Sequence, residues 1–231
     1  MAIRLIRIKN VMAFGAKKIG DKELPFELAF CPGINVVIGE NGTGKTSLLK
    51  MIYAATQWST KQDHPEKDID LRNYFSTTLK SGDSLSNYNT QNERSNFEIF
   101  DGNNSVTISF SCGQIASALR SSHFKMESVF IPATEMLSHS KGFLALNQKF
   151  NMPFDATQVD IIANASLPEA REIPSYMHEI MEKISKAING EIIQENDVFY
   201  VVKEDGRKVN FSLEAEGLRK LGLLWKLIRN G

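Results

Sequence analysis

Residues 39–46 have the residue types and the spacing of a loop that binds phosphate groups. The segment reads Gly-Glu-Asn-Gly-Thr-Gly-Lys-Thr and fits the pattern G-x-x-x-x-G-K-[ST]. Glycines let the backbone take positive φ angles and approach phosphate oxygens without a Cβ clash, and the freed N–H groups form a concave anion site. The pattern predicts a nucleotide-binding site made of Gly39, Glu40, Asn41, Gly42, Thr43, Gly44, Lys45, Thr46 and Ser47.

Three side chains at the end of this loop have predicted roles toward ATP and Mg²⁺. Lys45 is expected to reach the β- and γ-phosphates as a mobile positive charge, and Ser47 is expected to contact the α-phosphate. The hydroxyl of Thr46 is the expected metal ligand. The alternative is a glycine-rich turn that precedes a helix by chance, and the flanking sequence argues against it.

The flanking residues predict a strand before the loop and a helix after it. Residues 34–38 form an apolar, β-branched run that is typical of a buried strand. This order would place the loop at a helix N-terminus, whose partial positive charge favours anions. Apolar residues recur at helical spacing after the loop, at Leu48, Leu49, Ile52, Tyr53 and Ala55.

Composition indicates an ordinary globular protein without a strongly charged surface. Of its 231 residues 42% are hydrophobic and 23% charged, and Lys plus Arg equal Asp plus Glu at 27 each. A protein that bound nucleic acid over its whole surface would usually be basic. Cys31 and Cys112 have no metal-ligand spacing, which favours a reduced, cytoplasmic setting. We find no signal peptide and no apolar run long enough for a membrane span.

The order of elements around the loop can be predicted from local patterns. Residues 3–8 alternate as a half-buried strand, and a second strand is expected near Leu24–Phe30. A polar stretch over residues 80–92 predicts a surface loop. Asn96–Phe100 and Val106–Phe110 flank an Asp-Gly-Asn-Asn turn and predict a hairpin.

The beginning of the chain resembles the ATP-binding heads of the ABC superfamily, in the branch that includes SMC, RecF and OLD-type proteins. Residues 8–14, Ile-Lys-Asn-Val-Met-Ala-Phe, are similar to the I-x-N-F-x-x-F start of that branch. Residues 32–42 are similar to its approach to the phosphate loop. The resemblance covers about the first 55 residues. It implies that adenine rests against the first strands near Phe14, for which a role in the core is the alternative.

The resemblance also implies the fold class and the domain organisation. The expected fold is α/β, a P-loop NTPase of the ABC-head type with a peripheral antiparallel sheet and a helical subdomain. Residues 1–231 are predicted to form a single, incomplete ATPase domain. Its parts are the strands, P-loop and first helix at 1–58, a variable loop and hairpin at 59–127, the helical subdomain at 128–190, and a hairpin with a signature-like helix at 191–231.

The middle of the chain contains one further candidate residue. Ser128–Leu137 is an apolar segment broken by Pro132, and it predicts a strand. In the resembled heads a nucleotide-sensing Gln follows such a strand, whereas Glu135 stands here. The carboxylate of Glu135 could hold Mg²⁺ or water, and a position at a helix N-terminus, where acidic residues are favoured, explains the presence of Glu135 equally well. Helices are expected around Phe143–Phe150 and over Pro168–Gly190, where Pro174 is the predicted start.

The last part of the chain is expected to contain a hairpin and a helix. Glu191–Phe211 alternates across Asp205-Gly206 and predicts a hairpin, so its acids are not those of a Walker B strand. Ser212 is the predicted N-cap of the final helix. Ser212 and Gly217 are similar to two positions of the ABC signature, which contacts the nucleotide of a partner subunit. The acidic Glu214 and Glu216 depart from that signature, because they bring negative charge toward a phosphate.

The sequence ends at Gly231 before the Walker B strand that the resemblance implies, so no catalytic residue is assigned. The resemblance therefore leads us to expect a fragment, a chain that a partner polypeptide completes, or a chain that binds nucleotide without turnover, and we favour the first two explanations. Expected partners are a second copy or another chain at the nucleotide face, with DNA or a nuclease as targets. The resemblance implies DNA maintenance or anti-phage defence. A non-hydrolysing module that recruits an effector is the alternative function.

Overall fold

The computed structural model divides the chain into two compact units, residues 1–130 and residues 131–231. Each unit has its own hydrophobic core, and each is described here by itself. The expected surface loop over 80–92 lies mostly outside the residues that the structure describes. The described residues are 2–20, 22–61, 66–76, 85–87, 89, 93–111, 116–121, 124–150 and 152–231.

Unit 1 is built on a six-stranded antiparallel sheet with the order β4-β1-β6-β7-β8-β5. A separate two-stranded hairpin, β2–β3, and two helices complete the described part of this unit. The strands are β1 (Leu5–Lys9), β2 (Lys17–Ile19), β3 (Lys22–Leu24), β4 (Phe26–Ala29), β5 (Glu66–Ile69), β6 (Ser95–Phe100), β7 (Ser105–Phe110) and β8 (Ala116–Arg120). The helices are α1 (Lys45–Lys61) and α2 (Arg72–Phe75).

The core of unit 1 lies between α1 and the middle of the sheet. Strands β6 and β7 alternate buried and half-buried positions, as expected for a sheet with one face on a core. Their predicted hairpin is confirmed, and Asp101 Oδ1 accepts the N–H of Asn104 in the turn at 2.9 Å. The helix predicted after the loop is also confirmed. Its buried side chains include Leu48, Met51, Ala54, Ala55 and Trp58.

The buried strand predicted at residues 34–38 is wrong. The segment has no strand partner within the described part of the chain, and Ile34, Val36 and Ile38 are 89%, 76% and 87% exposed. β-branched residues favour an extended backbone, but a strand also needs a neighbour that supplies its ladder hydrogen bonds. The strand predicted within Ser128–Leu137 is wrong for the same reason, and Val129 is half exposed.

The described part of unit 2 contains four α-helices and a three-stranded antiparallel sheet with the order β11-β10-β9, and α5 and α6 pack on β9. The helix predicted at Phe143–Phe150 is confirmed, and so is the helix that Pro174 precedes. The expected hairpin over 191–211 is a three-stranded meander, because Asn196 and Asp197 make an additional turn with positive φ angles. The elements are α3 (Phe143–Phe150), α4 (Ala156–Ala165), α5 (Ser175–Ile188), β9 (Gly190–Glu195), β10 (Val198–Lys203), β11 (Lys208–Asn210) and α6 (Glu216–Asn230).

One helix of unit 2, α4, was not predicted from the sequence. Its N-terminus is a capping box, in which Asp155 accepts the N–H groups of Thr157 and Gln158 while Gln158 accepts the N–H of Asp155. The spacing of Asp155 and Gln158, three positions apart, was the signal in the sequence that could have predicted the start of α4. The mixed α/β class predicted for the chain is confirmed by the antiparallel sheets and helices. Within the described residues, no helix is both long and apolar enough to span a bilayer.

Candidate phosphate-binding site

The predicted phosphate loop is an exposed turn that leads directly into α1. Gly39, Gly42 and Gly44 have φ angles of 157°, 84° and 91°, which residues other than glycine rarely adopt. The N–H of Leu48 donates to the carbonyl of Gly44 at 2.8 Å and makes an early hydrogen bond of the helix. The N–H groups of the first turn point out of the helix end and are suited to an anion.

Lys45 is folded back onto the loop. Its Nζ donates to the carbonyl oxygens of Gly39 at 2.8 Å and of Glu40 at 2.6 Å. Thr43 Oγ1 also donates to the carbonyl of Glu40 at 2.9 Å. These bonds hold the loop in a curve around the ammonium group. Lys45 is thus at the position where the pattern requires a cation, in contact with backbone oxygens of the same loop.

A cavity of about 390 Å³ lies beside the loop and the first turn of α1. Its lining has amide, hydroxyl, ammonium and glycine backbone groups, and no carboxylate is among the lining residues that the structure describes. Most predicted site residues line it, whereas Gly39, Glu40 and Thr43 shape the loop behind it. The lining residues are Met12, Ala13, Asn41, Gly42, Gly44, Lys45, Thr46 and Ser47.

Two lining residues, Met12 and Ala13, were not predicted, and they come from the turn that follows β1. This turn packs tightly on Gly44. A Cβ built at Gly44 would lie 2.9 Å from Phe14 Cε2 and 3.1 Å from Ala13 Cβ. The ring of Phe14 also lies 5.2 Å from the ring of Phe26. Phe14 therefore supports the loop from behind, and its contact with adenine stays a prediction.

The signature-like residues lie in different elements of unit 2. Ser212 belongs to a short 3-10 turn, Phe211–Leu213, and is not the N-cap of α6 as predicted, because α6 begins at Glu216 with Ala215 before it. The Ser212 hydroxyl donates to Asn210 Oδ1 at 2.8 Å. Gly217 is the second residue of α6 and is exposed. Their contact with a partner's nucleotide stays a prediction.

The two acids near these residues are paired with lysines. Glu214 accepts Lys203 Nζ at 2.6 Å, and both side chains are nearly buried. Glu216 pairs with Lys220 at 3.0 Å, and the hydrogen bond from Lys220 lowers the pKa of the Glu216 carboxyl. Each lysine offsets the negative charge of its carboxylate, and this charge was the argument from the sequence against a phosphate contact at Ser212 and Gly217.

Glu135 is a structural acceptor in unit 2. Its carboxylate is 4% exposed and accepts the N–H of Leu137, the hydroxyl of Ser138 at 2.5 Å and Arg219 Nη1 at 3.2 Å. Arg219 lies in the first turns of α6. The carboxylate thus ties the segment before the 3-10 turn Leu137–His139 to α6. These contacts account for its burial without a metal ion.

We expect Glu135→Gln to destabilise unit 2 by about 1 to 3 kcal/mol, because a neutral amide replaces the buried acceptor of a charged donor. Urea unfolding would be followed by the fluorescence of Trp225 in a Trp58→Phe background, since these are the two tryptophans. Glu179→Gln is the control, because its pair with Lys183 is exposed on both sides. Equal midpoints for the two variants would contradict a structural role for Glu135.

A family model described as "AAA domain" matches residues 5–216. Among solved structures, the SMC head domain from Thermotoga maritima is similar, with a TM-score of 0.41 and 15% sequence identity, over 99% of this chain and 72% of that chain. None of the curated proteins matches the sequence.

Proposed function

We propose that this chain, which belongs to the AAA domain family, binds Mg·ATP in the cavity beside Gly39–Ser47. Family membership confirms the resemblance to ATPase heads and makes the chain a nucleotide-binding ATPase module. The observation that carries the proposal is the loop itself. Glycines with positive φ, a lysine and a threonine meet at one cavity and one helix N-terminus.

Each group lining the cavity has a proposed role toward the nucleotide. The N–H groups of Gly42–Ser47 bind the phosphate oxygens, and Lys45 leaves its carbonyl partners to reach the β- and γ-phosphates. Thr46 is the proposed protein ligand of Mg²⁺, and water and phosphate oxygens would complete the coordination. Within the described residues, no cluster of three or more metal-binding side chains occurs.

Hydrolysis by this chain alone is proposed to be slow. The described lining of the cavity contains no carboxylate that could hold Mg²⁺ from the second side or orient water. We propose that a partner at the nucleotide face, either a second copy or another chain, supplies these groups. Nucleotide-dependent pairing of heads would then act on DNA, in DNA maintenance or anti-phage defence, in a cytoplasmic setting.

A non-hydrolysing switch that recruits an effector such as a nuclease is the second candidate. The same absence of a lining carboxylate favours it, because binding without turnover suits a switch. Light scattering separates the two candidates when the chain is mixed with its partner. A switch stays assembled with ATP for as long as ATP is present, whereas an ATPase disassembles as ADP accumulates.

We expect Thr46→Ala to remove most of the gain in ATP affinity that Mg²⁺ provides, about tenfold, because the hydroxyl ligand is lost. Titration calorimetry with ATP would be run in excess Mg²⁺ and again in EDTA. Thr60→Ala is the control, because Thr60 lies at the far end of the same helix and its hydroxyl donates to the carbonyl of Gln57 at 3.0 Å. A gain that is unchanged in Thr46→Ala would contradict the metal role, and no ATP uptake by the natural chain would contradict the proposed function.

A further inference from the structure

Met12 has a left-handed backbone at the edge of the phosphate-binding cavity. Its φ angle is 48°, which is uncommon for a long side chain and costs free energy that neighbouring contacts must offset. The turn is closed by two hydrogen bonds, from Val11 N–H to the Phe14 carbonyl at 3.0 Å and from Phe14 N–H to the Val11 carbonyl at 2.8 Å. Met12 and Ala13 line the cavity from this turn.

Residues 85–87, which are far from Met12 in the sequence, hydrogen-bond to both its backbone N–H and its carbonyl, and we call this segment the clamp. Met12 N–H donates to the carbonyl of Leu85 at 2.9 Å, and Asn87 Nδ2 donates to the carbonyl of Met12 at 2.6 Å. Asn87 N–H also donates to the carbonyl of Asn10 at 2.8 Å. Both polar groups of the Met12 backbone are therefore bound by residues 85–87.

The side chain of Asn87 is itself held in the orientation that this clamp needs. Asn87 is only 8% exposed, and its Oδ1 accepts the N–H of Asn89 at 3.0 Å, which leaves Nδ2 to face Met12. The preceding residue of the clamp, Ser86, is also buried, and its Oγ accepts a hydrogen bond from the Ser95 hydroxyl at 2.8 Å. The fixed Nδ2 donor of Asn87 lies beside the strained backbone of Met12, which indicates that the clamp imposes the conformation of the turn.

We propose that Asn87 is a positioning residue for the nucleotide, acting through the carbonyl of Met12. This proposal rests on the proposed function of the cavity. Asn87 keeps the turn left-handed, so that Ala13 and Phe14 stay packed on Gly44 and the cavity keeps its lining. Loss of the donor lets Met12 return to an ordinary backbone conformation, which moves the turn against the loop.

The first test compares Asn87→Asp with Asn89→Asp by calorimetry with Mg·ATP. Asn87→Asp keeps the shape and the acceptor but replaces the donor with an oxygen that faces the Met12 carbonyl. Asn89 is exposed, and the control Asn89→Asp adds the same negative charge two residues away. We expect Asn87→Asp to lose about tenfold in affinity and Asn89→Asp less than about twofold. Equal affinities for the two variants would overturn the proposal.

A second test separates positioning from a general structural effect. Glycine adopts the left-handed backbone without a clamp, so the Asn87→Asp penalty is measured again in a Met12→Gly background. We expect the penalty to fall to less than about threefold, since the clamp is no longer needed there. The same penalty in both backgrounds would overturn the proposal.

A third measurement needs no variant and covers the case in which Asn87→Asp fails to fold. Hydrogen exchange on the natural chain is expected to show slower exchange at the amides of Met12 and Asn87 when Mg·ATP is added. Unchanged exchange at both amides in a chain that binds Mg·ATP overturns the positioning role alone. If the natural chain takes up no Mg·ATP, the proposed function fails, and the positioning role fails with it.

Discussion

Lys45→Ala is expected to weaken Mg·ATP binding by about 100-fold, which corresponds to about 2.7 kcal/mol. Lys45 is the only positively charged side chain among the described residues that line the cavity. A charge-assisted hydrogen bond to phosphate contributes about 1.5 to 3 kcal/mol, and no described lining group can replace it. Titration calorimetry with Mg·ATP, and separately with Mg·ADP, measures the loss.

The matched control is Lys50→Ala, which removes the same charge from the same helix. Lys50 lies five positions further along α1, does not line the cavity and has its Nζ 5.9 Å from the ring centre of Phe75. We expect its ATP affinity to stay within about twofold of the natural chain. Lys45→Ala should also keep its thermal midpoint, because the carbonyls that it frees are exposed to water. Similar affinities for both variants would contradict the site.

Gly190→Ala is expected to destabilise unit 2 by about 3 to 5 kcal/mol, through a backbone clash added to a disfavoured φ angle. Gly190 begins β9 opposite Lys203 and has a φ angle of 156°. A Cβ built there would lie 2.2 Å from the carbonyl oxygen of Val202. That oxygen belongs to the paired strand, so relief requires the two strands to separate. Urea unfolding followed by Trp225 in the Trp58→Phe background measures the change.

Gly206→Ala separates the two contributions to that loss. Gly206 has a φ angle of 82° in the turn between β10 and β11, and a Cβ built there meets no atom within 4 Å. It therefore bears only the backbone cost, about 1 to 2 kcal/mol. If Gly190→Ala cost no more than Gly206→Ala, the close approach of β9 and β10 at this position would be wrong.

Local sequence patterns predicted the features that depend on neighbouring residues. The glycine-rich turn at residues 39–44, α1 and the β6–β7 hairpin each occupy one continuous segment with a characteristic spacing, and all three are in the structure. The helix that Pro174 precedes ends at Ile188, and the residue after it, Asn189, has a φ angle of 52° that is typical of a helix stop. In these places, residue type and spacing are sufficient because the interactions are short-range.

The features that were missed or wrong depend on distant partners. The run at residues 34–38 has strong strand propensity, but propensity does not supply a pairing partner. Met12 lines the cavity because Asn87 binds it from 75 positions away. Glu135 is buried because Arg219, 84 positions away, neutralises it. No pattern in a single sequence connects such residues, so the structure was needed to find them.

The contacts of Lys45 with its own loop bear on which anions the cavity can select. An incoming ligand must compete with the carbonyl oxygens of Gly39 and Glu40 for the ammonium group. Chloride or acetate offers one diffuse charge and gains little by that exchange, whereas a polyphosphate offers several charged oxygens at once. Under the proposed function, the carbonyl oxygens of Gly39 and Glu40 would therefore favour polyphosphates over the abundant monovalent anions of a cell, because only a polyphosphate repays the loss of their bonds to Lys45.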